Sequence, residues 1–331
     1  MVRKFLRVVA YCTCTMFATP YAQATDLKLD QKDMVFLLVD KTHLRADLRS
    51  WPEDRRKSEL LMSFKIAIGK EEGDKQSEGD NRTPEGIYFT QRVIDGTSLP
   101  AKYGPKAIPI DFPNPYDQVL GKTGYGIWLH GVEADQRVEA AKVTEGCVAF
   151  YNADIKTLTS WLEPFQAVVL IARDFKVVNQ EADLDTVEAQ TRSWYESWKA
   201  RDLDAYVDHY HKDFVLDGRS KERYRDYKEK VFGSYKTMDV NIADLRVFTH
   251  EKYAVSIMNQ DFNGDKRYVS NGRKVLYWQR DDQGSWKIIR ELFDSSRLEF
   301  PSFSRAQLAQ LFEQSPSFKA LSKEVTQTNN L

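Results

Sequence analysis

The 331-residue sequence predicts an α+β protein of two unlike domains, a β-rich one followed by a smaller one in which helices precede an antiparallel sheet. Three observations predict it. The chain is longer than a single hydrophobic core usually serves. Its first half consists of short apolar runs separated by glycine and proline, the pattern of strands and turns. Its second half begins with apolar residues at helical spacing and ends in three strand-like runs. The expected boundaries are 1–24 for a signal peptide, 25–173 for the β-rich domain, 174–185 for a linker, 186–298 for the second domain and 299–331 for a C-terminal helix and tail.

The first 24 residues read as a secretory signal: Arg3, Lys4 and Arg7, an apolar stretch from Leu6 to Phe17, and a small-x-small site at Ala22-Gln23-Ala24. No later segment approaches the roughly 20 apolar residues of a membrane span, and neither Cys12 nor Cys14 follows a small residue as a lipoprotein signal requires. An exported, periplasmic product is expected. Loss of three positive charges moves the formal net charge from −1 to −4. With no concentrated basic field, nucleic acid is excluded as the main partner. Cys12 and Cys14 leave with the signal, so Cys147 is the sole mature thiol. In an oxidising compartment, where cysteines normally pair, that points either to a buried apolar cysteine or to a reactive one.

In the first half, 34–40 and 61–68 read as strands, 69–126 is too rich in glycine and proline for long helices, and 167–172 reads as a buried closing strand. Gly126-Ile-Trp-Leu-His130-Gly131 alternates as a strand, putting Trp128 and His130 on one face. Cys147 follows Thr144-Glu145-Gly146, and Asn152 reads as the N-cap of a helix with Ile155, Leu158 and Leu162 on its buried stripe. In the second half, Leu184, Val187, Thr191, Trp194 and Trp198 mark a helix, and 203–210 a shorter one. Strands are expected at 238–248, 252–262 and 272–293, with turns at Asn263-Gly264 and Gln283-Gly284, around a cone-shaped cavity. Tyr210, Asp217, Tyr277 and Trp278 are candidates to line it.

A thiol near pH 7 is mostly protonated, whereas the thiolate is the nucleophile. An imidazole within reach takes that proton and later returns it to a leaving amine. Glycine-flanked amides near Cys147 are candidate oxyanion donors. A cysteine and a histidine 17 residues apart are a weak signal alone.

Two ordered blocks add specificity. His130-Gly131 with Thr144-Glu145-Gly146-Cys147 resembles the active-site signature of the L,D-transpeptidase (YkuD) catalytic domain. Gly69-Lys70, Gly73-Asp74-Lys75, Gly79-Asp80, Thr83-Pro84-Glu85-Gly86-Ile87-Tyr88 and Pro113-Asn114-Pro115-Tyr116-Asp117 resemble that family's upstream stretch. The resemblance covers residues 34–172 and implies a cysteine enzyme acting on peptidoglycan tetrapeptide stems through a thioester, without metal or cofactor. It implies Cys147 as nucleophile, His130 as base, Gly131 as the carbonyl orienting the imidazole, and Gly146 beside the nucleophile. Tyr125, Trp128, Thr144 and Glu145 are the candidate substrate contacts.

Many members carry arginine where this chain has Ala149, and histidine where it has Glu145. A carboxylate beside a thiol disfavours the thiolate, so Glu145 is expected to face solvent or a cationic substrate group. The Gly-Cys-Val-Ala-Phe form resembles hydrolytic relatives, so L,D-carboxypeptidase action is expected. L,D-transpeptidation and an inactive wall-binding scaffold are the alternatives. Trp194-Tyr-x-x-Trp198, Arg201-Asp-Leu-Asp204, Tyr206, Tyr210, Phe214 and the run ending at Trp286-Lys-Ile-Ile289 resemble an NTF2-like domain. That domain order is similar to cell-shape-determining L,D-carboxypeptidases and implies a binding or positioning role for the second domain.

Overall fold

A computed structural model describes residues 34–51, 58–162 and 166–298. The expected signal peptide and the expected C-terminal helix and tail lie outside the described residues. The first domain holds strands β1 (Met34–Asp40), β2 (Arg45–Trp51), β3 (Glu59–Gly69), β4 (Gly86–Phe89), β5 (Ile94–Asp95) and β6 (Lys106–Pro109), then helix α1 (Pro115–Val119) and β7 (Trp128–His130). Helix α2 (Gln136–Glu139), β8 (Lys142–Thr144), β9 (Val148–Phe150), α3 (Asn152–Leu162) and β10 (Val168–Ala172) complete it. The sheet runs β4-β10-β1-β2-β3-β9-β7-β6-β5, with β8 beside β3. It curls until Thr90, after β4, bridges Ile110, after β6.

The second domain holds α4 (Glu181–Ala200), α5 (Leu203–Asp208), the short pair β11 (Val215–Leu216) and β12 (Arg219–Ser220), and α6 (Lys221–Ser234). It ends in the antiparallel meander β13 (Met238–Thr249), β14 (Ala254–Gly264), β15 (Tyr268–Arg280) and β16 (Trp286–Asp294). Residues 272–293 thus contain parts of two strands. Strand β14 runs through Asn263-Gly264, and the turn falls on Asp265 and Lys266, both at positive φ. Helix α4 begins at Glu181, so 181–185 is helical, not linker.

Strand β10, and β1 up to Asp40, are apolar because both of their faces are buried. Val35, Leu37, Val39, Val169 and Ile171 point into the first domain's core. The alternate residues Phe36, Leu38, Val168 and Leu170 meet Phe248, Val255, Ile257 and Tyr277 from one face of the meander. On the meander's other face Ala254, Met258, Leu276 and Trp278 pack with Val187, Trp194 and Trp198 of α4. A four-stranded sheet is therefore held between its own helices and the neighbouring domain.

That arrangement separates the four residues expected to line one cavity. Tyr277 faces the domain seam, its sequence neighbour Trp278 faces the inner core with Tyr210, and Asp217 is exposed in the β11–β12 turn. The interior of the second domain instead holds, within its apolar core, a buried polar cluster. Glu291 accepts from Tyr224 at 2.9 Å and Tyr210 at 3.0 Å and pairs with Lys274 at 3.0 Å.

Candidate active site

Strand β7 lies parallel to β9, pairing Leu129 with Val148 and His130 with Ala149. Cys147, one residue before β9, stands beside Trp128, whose amide N–H points at Sγ from 3.4 Å. Side chains alternate across a strand. Leu129, Val148 and Phe150 therefore fill the core, while Trp128, His130, Cys147 and Ala149 share the opposite face. The folding of this sheet is what brings the Cys147 thiol and the His130 imidazole onto one surface.

Each side chain is held from behind. His130 Nδ1 is hydrogen bonded to the Gly131 carbonyl. An N–H there fixes the tautomer with Nε2 as the free, basic nitrogen. Tyr103, not singled out by sequence, packs its ring 4.8 Å from Trp128 and edge-on, 5.1 Å, to His130. Asn152 opens α3 but does not cap it through its side chain. Its Oδ1 accepts from the Val132 amide at 2.9 Å and so anchors the chain just after His130-Gly131. Neither contact could be found from periodicity, because each links elements distant in sequence.

Gly146 has φ +127°, and a β-carbon there would lie 2.7 Å from the Arg82 carbonyl, so both conformation and space require glycine. Its amide, expected as an oxyanion donor, is taken by Thr144 Oγ1 at 3.2 Å. The Thr144 hydroxyl donates in turn to the Cys147 carbonyl at 2.7 Å, so Thr144, expected among the substrate contacts, holds the turn. Cys147 Sγ is half-buried and points to the Gly126 carbonyl at 3.5 Å. Tyr125 is 78 % exposed, Trp128 is half-buried, and Glu145 is exposed as expected.

The pair rests uncharged. Burial pushes the Cys147 thiol up to about 11, with the Glu145 carboxylate adding to the rise against the Trp128 N–H. Burial also holds His130 down at about 4, against the Gly131 hydrogen bond that favours its protonation. A neutral thiol and a neutral imidazole on one face can form a thiolate only as a proton moves between them.

Residues 37–171 match the model of the L,D-transpeptidase catalytic domain, YkuD, and residues 186–292 that of the Cds6 C-terminal NTF2-like domain. YafK of Escherichia coli (strain K12), assigned by name to the L,D-transpeptidases, is 37% identical over 98 residues. The match covers 29% of this chain and 35% of the relative, so the chain spans about a third of that relative's length. The structure of Bdellovibrio bacteriovorus Bd1075 is similar with a TM-score of 0.66 and 25% identity, over 81% of this chain and 94% of that one. The helical cell shape determining protein Pgp2 of Campylobacter jejuni shares the fold, with a TM-score of 0.64 and 22% identity over 81% of this chain and 97% of that one. Among the described residues no helix is long and apolar enough to cross a membrane. The chain thus joins a YkuD L,D-transpeptidase catalytic domain to a C-terminal NTF2-like domain.

Proposed function

We propose that the protein is an exported peptidoglycan-modifying enzyme that removes the terminal D-alanine from tetrapeptide stems, an L,D-carboxypeptidase with a role in cell shape. The observation that carries the reading is the placement of Cys147 and His130 on one face of adjacent parallel strands, with the imidazole fixed by Gly131.

As Cys147 Sγ attacks the carbonyl of the L-centre, its proton passes to His130 Nε2. The imidazolium, its Nδ1–H held by the Gly131 carbonyl, then protonates the departing amine as the C–N bond breaks. D-Alanine leaves and a thioester remains. Water, giving its proton to His130, attacks that thioester, and the thiol is restored. With the Gly146 amide engaged, the Cys147 amide is the donor we assign to the oxyanion. The preference for water over an acceptor amine rests on Ala149. It is fully buried where many members carry arginine, so the position offers the cleft no cation.

The test is incubation of the purified full chain with tetrapeptide muropeptides and identification of products by mass. Release of D-alanine without new cross-links is expected. Cross-linked dimers as the main product would sink the hydrolytic reading in favour of transpeptidation, and no product of either kind would sink both.

A further inference from the structure

The turn between β13 and β14 reaches from the NTF2-like domain into the catalytic one. Lys252 Nζ donates to Asp74 Oδ2 at 2.7 Å. The next residue, Tyr253, lies along the outer edge of β4. Its hydroxyl accepts from the Ile87 amide, donates to the Ile87 carbonyl at 3.0 Å and receives Asn114 Nδ2 at 2.9 Å. A tyrosine thus satisfies the outward Ile87 amide and shares the Ile87 carbonyl with Asn114 Nδ2, which donates to it at 2.9 Å. Tyr116 stacks on it with centroids 4.2 Å apart and donates its hydroxyl to the Lys252 carbonyl at 3.3 Å. A β-carbon on Gly86 would come within 2.7 Å of the Tyr253 hydroxyl, so glycine at the end of the Thr83-Pro84-Glu85-Gly86 motif admits the second domain.

Asp74 is where this contact enters the catalytic loops. Its side chain is 9% exposed, and it also accepts from Lys122 at 2.9 Å and from the Glu85 amide at 2.8 Å. Burial works against its charge, but the lysines hold the carboxyl below the ordinary range, Lys252 foremost. Two routes lead from Asp74 to the sulfur. Beyond Asp80, Thr83 Oγ1 accepts from the Gly69 amide at 2.9 Å, and the Arg82 carbonyl forms the floor against Gly146. Before it, Gln76 accepts from the Thr123 amide at 3.0 Å, steadying the stretch that ends in the Gly126 carbonyl facing Sγ.

We propose that Lys252 is a positioning residue for Cys147: the NTF2-like domain braces, through Asp74, the loops that form the floor and one wall of the catalytic cleft. The catalytic part of this inference rests on the reading of Cys147 as nucleophile. The second domain is then part of the active site's frame, whatever else it binds.

Lys252→Met keeps the apolar stem and removes the charge, and Lys252→Arg restores it. In the full chain, Lys252→Met should lower kcat on tetrapeptide muropeptides about tenfold with KM within about twofold, as expected when a reacting atom is displaced. Lys252→Arg should recover most of the loss. Glu251→Ala, on the same turn but paired only loosely with Arg173 at 3.9 Å, should change neither. A second readout needs no substrate. A loosened wall admits water to the sulfur, so the midpoint of Cys147 alkylation by iodoacetamide against pH should move down by at least half a unit in Lys252→Met, and return in Lys252→Arg. If Lys252→Met matches the parent in alkylation profile and kcat, the bracing role is overturned. If it shifts the alkylation midpoint while neither protein releases D-alanine, bracing stands and the proposed reaction falls. Should Lys252→Met lose its melting transition, Lys252→Gln is read in its place by the same two measurements.

Discussion

Two of the places where polar side chains are buried, one in each domain, differ in kind. In the NTF2-like domain, Glu291 is surrounded: Tyr210, Tyr224 and Lys274 bond it directly. Trp194 donates to Tyr210 at 3.0 Å and Tyr206 lies 2.7 Å from the same hydroxyl. Lys228 lies 5.2 Å from the rings of Trp198, Tyr206 and Tyr224, and burial lowers its ammonium to about 8. Burial opposes the charge on Glu291, yet Lys274 and Lys228 hold it below the ordinary carboxylate range. In the catalytic domain, Cys147 has a long contact from one amide and another to one carbonyl, and both it and His130 rest neutral. The first cluster is satisfied, and its charges are held by one another. The second keeps its sulfur sparsely bonded. A satisfied network specifies a fold, whereas a sparsely bonded pair is free to react.

If that contrast is right, mutations in the two clusters should damage different properties. The largest effect belongs to Cys147→Ala, which should abolish D-alanine release while leaving urea stability within about 1 kcal/mol. His130→Ala should follow, with kcat down by about 10² to 10⁴ and the fold intact. Near-normal turnover in that variant would show that another group is the base. Glu291→Gln should do the reverse. It leaves Lys274 buried and Lys228 half-buried without their anion, which costs about 3–5 kcal/mol in urea unfolding. Turnover per folded molecule should fall far less than in the Cys147 variant, and an equal loss would erase the distinction.

Acid should separate the clusters again, through His130. Burial holds this imidazole at about 4 in the fold, against about 6.5 in an unfolded chain. Between those values the unfolded chain takes up a proton that the folded one refuses. The contribution is therefore complete above pH 6.5, declines as pH falls, and is lost by about pH 4, a change of about 3 kcal/mol. His130→Gln removes this titration. Urea unfolding from pH 7 to 4 should show the parent losing more stability than the variant, and parallel curves would refute the assigned burial. His209 and His250, also held at about 4, titrate in both proteins and leave the difference unaffected.

The expected strands at 34–40 and 167–172 were legible because apolar runs this short leave few alternatives, and each became a strand within a residue of its bounds. Why they are apolar on both faces was not legible, since the covering residues, among them Phe248 and Tyr277, lie more than 70 positions further along the chain. Helix α6 escaped notice because only Tyr224 and Phe232 are buried along it, too few to print a 3.6-residue rhythm. Strand β2 escaped because polar Arg45, Asp47 and Arg49 occupy one set of its alternate positions while Asp47 is buried by ion pairs. At the candidate site, the two side chains proposed to react could be picked out by type and motif. Tyr103 and the Asn152–Val132 contact could not, because they join elements that only the tertiary fold brings together.

The smallest of these effects concerns Thr144, whose place in the sequence suits a substrate contact but whose hydroxyl is spent between the Gly146 amide and the Cys147 carbonyl. Thr144→Val keeps the shape and removes both bonds, leaving two backbone groups to find water or go unpaired, at a cost of about 1–2 kcal/mol. Because these bonds set the turn that presents Sγ, kcat should fall about three- to tenfold with KM nearly constant, and Thr144→Ser should restore it. A substrate contact would give the opposite division, with KM rising and kcat preserved. That outcome would move Thr144 out of the frame and into the cleft, and would require the turn around Gly146 to open when the stem binds.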